Sequence, residues 1–325
     1  ADAMGRALPG HLRPGDVMVF NDTRVMPARL WGMRGEARIE VLLHQAVTLA
    51  SGDTCWRCFA KPARKLREGD RLDFAEDFFA MVGPRSDDGQ VVLCFNATQA
   101  TLRDKLAQYG EIPLPPYIEK QRKALATDQR QQWDDTQHYQ TVYAGAYAAS
   151  VAAPTAGLHF TPELLAAIDA AGVARVHVTL HVGGGTFLPV KAEDTHEHVM
   201  HSEYAEISAE AAARINAAKA AGGRVIAVGT TSLRTLESAA DEHGVVQPMA
   251  RDTNLFITPG YRFKIVDGLM TNFHLPRSTL FMLVSAFSGL ETMQKAYAHA
   301  VAQRYRFYSY GDACLIAPAT PAPVM

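Results

Sequence analysis

Two rhythms of apolar and polar residues divide the chain. In the first, short apolar runs recur between turn residues: Gly15 to Phe20, Ile39 to Leu43, Trp56 to Ala60, Arg71 to Phe74 and Val91 to Phe95. Gly52-Asp53, Glu68-Gly69-Asp70 and Asp87-Asp88-Gly89 punctuate them. Glycine and aspartate favour the tight turns that reverse a strand, so this spacing predicts short strands forming a small β-barrel or sandwich. Thr101 to Gln108 reads as a short helix, Pro113 to Pro116 as a rigid extended stretch, and Lys120 to Gln140 as a polar loop with a helical turn.

The second rhythm alternates strands with helices. Thr161-Pro162-Glu163 is a helix start, with a capping hydroxyl, a proline where no backbone donor is needed, and an early carboxylate at the positive end of the dipole. Gly172 ends that helix, and Ala174 to Val182 follows as a strand. Ser208 caps a helix running to about Ala221, which Gly222-Gly223 stops. Arg224 to Val228 is a strand and Thr231 to Ala240 a helix. Leu255 to Ile257 and Leu269 to Asn272 read as short strands, and Ser278 to Phe287 and Glu291 to Tyr305 as helices. Ala313 to Ile316 is a last strand and Pro318 to Pro323 a flexible tail. The alternation predicts an α/β architecture, in layer or barrel form. No internal repeat is evident.

Composition narrows the class without choosing a function. Of 325 residues, 48% are hydrophobic and 20% charged, which suits a sizeable core and about two domains. The most apolar window, Thr279 to Phe287, is far shorter than the roughly 20 residues of a membrane-spanning helix. No signal peptide is visible, so a cytoplasmic protein with no membrane partner is expected. The formal net charge of −2 argues against a polycation. Basic residues nevertheless cluster: Arg57, Lys61, Arg64, Lys65, Arg67 and Arg71 stand against Glu68 and Asp70, with a second group at Lys120, Arg122 and Lys123. Such a face either docks phosphates or is simply solvated. Cys55 and Cys58 form a C-x-x-C without a second ligand pair at metal spacing. Reduced, structural thiols on a strand and no metal site are the expectation.

Histidine carries the first chemical signal, through His159, His177, His181, His196, His198, His201 and His274. Imidazole is the natural acid or base near neutral pH. In the strand Ala174 to Val182, Val176, Val178, Leu180 and Val182 share one face, and His177, Thr179 and His181 the other. The strand runs into Gly183-Gly184-Gly185-Thr186, where backbone N–H groups can approach a ligand; a plain tight turn beside a hydrogen-bonded histidine is the competing reading. His196, His198 and His201 lack zincin spacing, so that stretch reads as a polar loop with one or two active-site contacts. Glu203 follows closely enough to be a base or a cation partner. Gly229-Thr230-Thr231 with Arg234 offers a helix N-terminus, two hydroxyls and a guanidinium to a carboxylate or phosphate. Asn272, His274 and Ser278 sit at another strand-to-helix junction. The aromatic, polar stretch Tyr305 to Asp312 suits base stacking or a packed helix terminus.

Several longer stretches carry a resemblance. They include RPGDVMVFNDTRVMPARLWG (Arg13 to Gly32), LPPYIE (Leu114 to Glu119), YQTVYA (Tyr139 to Ala144) and SVAAPTAGLHFTPELL (Ser150 to Leu165). VTLHVGGGTFLPV (Val178 to Val190), HVMHSEYAEI (His198 to Ile207) and VIAVGTTSLRTLESAA (Val225 to Ala240) continue the set. DGLMTNFHLPRSTLFMLVSAF (Asp267 to Phe287) and YRFYSYGDACLI (Tyr305 to Ile316) complete it. In order, over nearly the whole chain, they resemble the S-adenosylmethionine:tRNA ribosyltransferase-isomerases of queuosine biosynthesis. The departures are a family N-terminal segment that this sequence does not contain, variation at Ala149 and Gly184, and a longer, more polar linker from Lys120 to His138.

The resemblance implies a main α/β domain, barrel-like with a mixed sheet, interrupted by a small all-β barrel. The boundaries it suggests are 1–30 and 138–325 for the main domain and 31–137 for the insert. The implied reaction moves and isomerises the ribosyl group of S-adenosylmethionine onto 7-aminomethyl-7-deazaguanine in the wobble position of tRNA with a GUN anticodon. Epoxyqueuosine tRNA, adenine and methionine are the products, and S-adenosylmethionine is a substrate, with no cofactor. Within the matching motifs, His181 and His159 are the first acid/base candidates, with Glu203 and Asp312 next. Thr155, Gly157, Gly183, Gly185, Thr186, His201, Thr230, Thr231, Arg234, Asn272, His274, Ser278 and Tyr308 are candidate substrate contacts. Arg57, Lys61, Arg64, Lys65 and Arg67 are candidate tRNA contacts. A monomer is expected. A methyltransferase using the same co-substrate and a non-catalytic RNA-binding module are the rival classes.

Overall fold

The structure, a computed structural model, describes residues 2–48, 54–85, 90–124, 134–146, 148–184, 202–276 and 278–319, with the backbone alone over 121–124. The candidates Gly185, Thr186 and His201, with His196 and His198, lie outside the described residues, as do the turn signals Gly52-Asp53 and Asp87-Asp88-Gly89.

The chain opens with a 3₁₀ turn (Gly5–His11) and then forms β1 (Val17–Asn21), every residue of which is buried. Continuous burial is what a strand covered on both faces requires, and β1 lies at the centre of the main sheet. A short β2 (Arg24–Val25) leads into β3 (Arg29–Arg34), β4 (Ala37–Thr48), β5 (Thr54–Lys61), β6 (Arg71–Ala75), β7 (Phe78–Arg85) and β8 (Val91–Phe95). These last six close an antiparallel barrel in the order β3-β4-β5-β8-β7-β6. Leu30, Ile39, Val41, Leu43, Leu72, Phe78 and Leu93 fill it, capped by Leu102 and Leu106 of α1 (Gln99–Tyr109). After α2 (Pro116–Ala124) and α3 (Asp135–His138), the chain returns through β9 (Ala148–Ser150). Because β9 pairs with β2, the entry and exit of the barrel form one stem.

A second 3₁₀ turn (Thr155–His159) precedes α4 (Pro162–Ala170), whose Thr161 side chain accepts from Leu164 N. Next come β10 (Ala174–Leu180), β11 (Glu203–Ile207), α5 (Ala209–Ala220), β12 (Val225–Val228), α6 (Gly229–Ala239), β13 (Met249–Thr253) and β14 (Gly268–Asn272). The described chain closes with α7 (Thr279–Ser288), α8 (Leu290–Ala302) and β15 (Ala313–Ile316). The main sheet is mixed and seven-stranded, in the order β13-β11-β10-β1-β12-β14-β15. Its middle four strands, β10-β1-β12-β14, run parallel. Of the layer and barrel forms that the alternation allows, this sheet takes the layer form. One face packs on α6 and its neighbours, and the other on the first 3₁₀ turn and α4.

Several expectations change. Leu255 to Ile257 is extended chain without a ladder, and the strand there is β13, whose polar ARD centre hides its pairing with β11. Lys120 lies within α2, so the linker begins as helix. The expectation of reduced thiols is overturned: Cys55 on β5 is disulfide-bonded to Cys94 on β8. The barrel sets β5 beside β8, so the bond joins neighbouring strands and leaves the C-x-x-C unpaired within itself, with Cys58 a buried free thiol.

Candidate functional site

All four parallel strands of the main sheet end on one edge, and this edge collects polar side chains. Asn21 ends β1, His181 follows β10, Gly229 follows β12 and Asn272 ends β14. The carboxyl edge of an open α/β sheet, where neighbouring connections diverge, is a natural crevice. Here the inserted barrel closes its side. The result is a cleft of about 960 Å³. Its sheet wall carries Asp22, Thr23, Thr179, His181, Gly183, Glu203, Tyr204 and Glu206; its barrel wall carries His44, Gln45 and Trp56, with Leu102, Arg103 and Leu106 of α1.

His181 is half-buried. Its Nδ1 lies 2.8 Å from Thr23 Oγ1, and its ring stacks on Tyr204 at 5.8 Å between centroids. Burial pushes its pKa below the ordinary histidine value, against the opposing pull of Asp22 and Glu206. The imidazole is therefore neutral at neutral pH and able to take a proton. Next to it, Glu203 Oε2 pairs with Arg234 Nη1 at 2.5 Å, and Oε1 accepts from Gly183 N at 3.3 Å. With both oxygens engaged, Glu203 clamps the glycine turn to Arg234. Arg234 also donates from Nε to Leu255 O, while its buried Nη2 has no partner among the described residues. The turn is held from the barrel side too, since Gly184 N donates to His44 Nδ1 at 3.0 Å. A Cβ at Gly183 would lie 2.8 Å from the His44 ring, so this close approach needs glycine.

A second group sits at the end of β14. Asn272 Nδ2 donates to His159 Nε2 at 2.9 Å and to Tyr308 O at 3.2 Å, and its Oδ1 accepts from Thr155 Oγ1. Burial lowers the His159 pKa, offset in part by Asp312. Burial tends to raise the Asp312 carboxyl, but hydrogen bonds from the Arg306 backbone and guanidinium hold it below the usual range. Asp312 is thus held as a carboxylate, whose charge acts on His159. Tyr308 adopts φ +73° and stacks on Tyr117 at 4.6 Å. Gly157 backs against Tyr143, whose Oη would lie 2.0 Å from a Cβ, so its role is to let the turn close.

The candidates therefore separate. His181, Gly183 and Glu203 line the cleft, with Arg234 behind Glu203 and Thr231 bonded to Asn21 Nδ2 at 3.2 Å. Thr230 is buried in the first turn of α6. Thr155, His159, Asn272 and Tyr308 form the second group, and the two adjoin where the second 3₁₀ turn packs beside α6. His274 and Ser278 join neither. His274 Nε2 bonds Thr271 Oγ1 while Nδ1 is buried without a partner among the described residues. Ser278 caps α7. Arg57, Lys61, Arg64, Lys65 and Arg67 lie exposed along β5 and the turns after it, and Arg57 reaches Gln45 on the cleft rim. Asn21, Asp22, Thr23, His44, Trp56 and Tyr204 were not among the candidates. A signal existed for the first three: a polar triplet directly after an apolar run marks a strand end as surely as glycine does. His44 and Trp56 offered none, because barrel closure brings them to the sheet.

A family model described as "Queuosine biosynthesis protein" matches residues 1–316. A protein from Sphingopyxis alaskensis named S-adenosylmethionine:tRNA ribosyltransferase-isomerase is 59% identical, covering 98% of this chain and 87% of its own length. One of the same name from Methylobacterium sp. (strain 4-46) is 56% identical, covering 97% of this chain and 88% of its own. A solved S-adenosylmethionine tRNA ribosyltransferase from Thermotoga maritima is 34% identical, covering 96% of this chain and 86% of its own, with a TM-score of 0.49.

Proposed function

The chain belongs to the queuosine biosynthesis family, and from that premise we propose that it is an S-adenosylmethionine:tRNA ribosyltransferase-isomerase. Its substrates are S-adenosylmethionine and tRNA carrying 7-aminomethyl-7-deazaguanine at the wobble position of a GUN anticodon. Its products are epoxyqueuosine tRNA, adenine and methionine. The observation that carries the reading is the cleft between barrel and sheet, with a neutral histidine on one wall and a basic rim outside it.

The chemistry asks for a base at the ribose carbon beside the sulfonium, which the positive sulfur acidifies. His181 has the protonation state and position for that task. The wobble base already lies in a single-stranded loop, so turning it into the cleft costs less than extrusion from a duplex. The exposed arginines and lysines of β5 and its turns then grip the anticodon arm. The sulfonium supplies the leaving group, so no cofactor is needed. The cleft is built within one chain, which supports a monomer, and substrates such as tRNA and S-adenosylmethionine support a cytoplasmic reaction. Among the described residues no helix is long and apolar enough to cross a membrane.

Mass spectrometry of tRNA bearing the 7-aminomethyl base, incubated with the protein and S-adenosylmethionine, tests the reading. Epoxyqueuosine in the tRNA with adenine and methionine in solution is the expected outcome. S-adenosylhomocysteine would instead mark a methyltransferase, and retained tRNA with no turnover an RNA-binding module.

A further inference from the structure

Asn21 and Thr23, at the end of the central strand, have no part in the chemistry so far, yet they are 0% and 1% exposed. Polar side chains buried this deeply must find partners, and those partners show what the residues hold in place. Asn21 Nδ2 donates to Leu180 O at 3.0 Å and to Thr231 Oγ1 at 3.2 Å. Its Oδ1 accepts from Leu180 N at 3.0 Å and from Thr23 N at 3.1 Å. One side chain thus ties the end of β1 to the end of β10 and to the first turn of α6, and fixes the backbone of Thr23. From that anchored position Thr23 Oγ1 reaches His181 Nδ1 at 2.8 Å. Tyr204 covers one face of the same ring.

We propose that Thr23, anchored by Asn21, is a positioning residue for His181: its hydroxyl fixes the imidazole in one orientation toward the S-adenosylmethionine ribose. The inference rests on the reading of His181 as the base. With the hydroxyl accepting from Nδ1–H, the basic electron pair lies on Nε2, and the contact persists when Nε2 takes a proton. A hydroxyl also suits the task better than a carboxylate. A carboxylate at this distance would stabilise the imidazolium and work against the burial that keeps the ring neutral. The carboxylate of Asp22, whose charge reaches the ring, itself accepts from Thr179 Oγ1 at 2.7 Å.

The test compares Thr23→Val, which keeps the shape and removes the hydroxyl, with Thr23→Ser, which keeps the hydroxyl, alongside His181→Ala. Thr23→Val is expected to lower kcat roughly tenfold to a hundredfold, the usual effect of a misaligned catalytic group, while KM for both substrates changes little. Thr23→Ser is expected to recover most of kcat. A merely structural role would lower the melting temperature without this split. Wild-type kcat in Thr23→Val beside an inactive His181→Ala overturns the inference and leaves the His181 reading intact. Equal loss in Thr23→Ser and Thr23→Val also overturns it. An active His181→Ala removes both ideas together. If Thr23→Val does not fold, Thr23→Ala supplies the same comparison with Thr23→Ser.

Discussion

His274, a candidate substrate contact by sequence, sits in a buried setting, its Nε2 against Thr271 and its backbone N donating to Tyr297 Oη. It sits in a polar junction motif, yet its environment pushes the pKa down to about 4 through desolvation. In the unfolded chain the ring titrates near 6.5, so above that pH both states hold it neutral. As pH falls from about 6.5 toward 4, the unfolded state gains a proton that the folded state refuses, and stability declines by up to roughly 3 kcal/mol. His159 and His181, lowered for the same reason, add to the same slope. Denaturant midpoints measured between about pH 7 and about pH 4 should therefore fall for the natural sequence, and fall less for His274→Asn. An equal decline in both proteins would place the acid sensitivity elsewhere.

At the scale of elements, the informative contrast lies between β10 and β5. The alternation in β10 put His177, Thr179 and His181 opposite Val176, Val178 and Leu180, and burial follows that division. In β5, whose pairing skips His44 of β4, Trp56 lines the cleft while Arg57 stays outside. The basic residues continue from Arg57 through Lys61 to the 3₁₀ turn carrying Arg64 and Lys65. If this line holds the anticodon arm, reversing the charges of Arg64, Lys65 and Arg67 should weaken tRNA binding at least about tenfold. It should also flatten the dependence of log affinity on log salt by roughly one unit per lost phosphate contact. Unchanged affinity and salt slope would show that the tRNA docks elsewhere.

Across the whole molecule, stability and chemistry occupy opposite edges of one sheet. Asp16, 1% exposed, precedes β1 at the amino edge and receives Arg13 N, Arg224 N and the Arg224 guanidinium. Burial tends to raise its carboxyl, but the Arg224 and Arg13 hydrogen bonds outweigh this and hold its pKa low. The cleft lies at the other end of the same strand. Asp16→Asn should thus cost about 3 kcal/mol, the order expected for breaking a buried charged pair, as read from a denaturant midpoint. Turnover per folded molecule should stay unchanged, and a large fall in kcat would mean that the two edges are coupled through β1.

What the sequence determined by itself was local. Periodicity, capping residues and glycine stops follow from backbone sterics and the reach of one side chain, so α4, α5, β10 and β12 were legible within a residue or two. The motif run carried the family for the same reason, being contiguous. Tertiary structure alone decided what depends on distant segments meeting. The polar strands β11 and β13 exist because each completes the other's ladder. Cys55 found Cys94 rather than Cys58 because barrel closure set β5 against β8. Thr179, His181 and Gly183, close together in sequence, line the cleft, but Thr23 and His44, far away in sequence, were needed to fix His181 and Gly184. A catalytic orientation requires contacts from several directions, and no single stretch of chain can provide them.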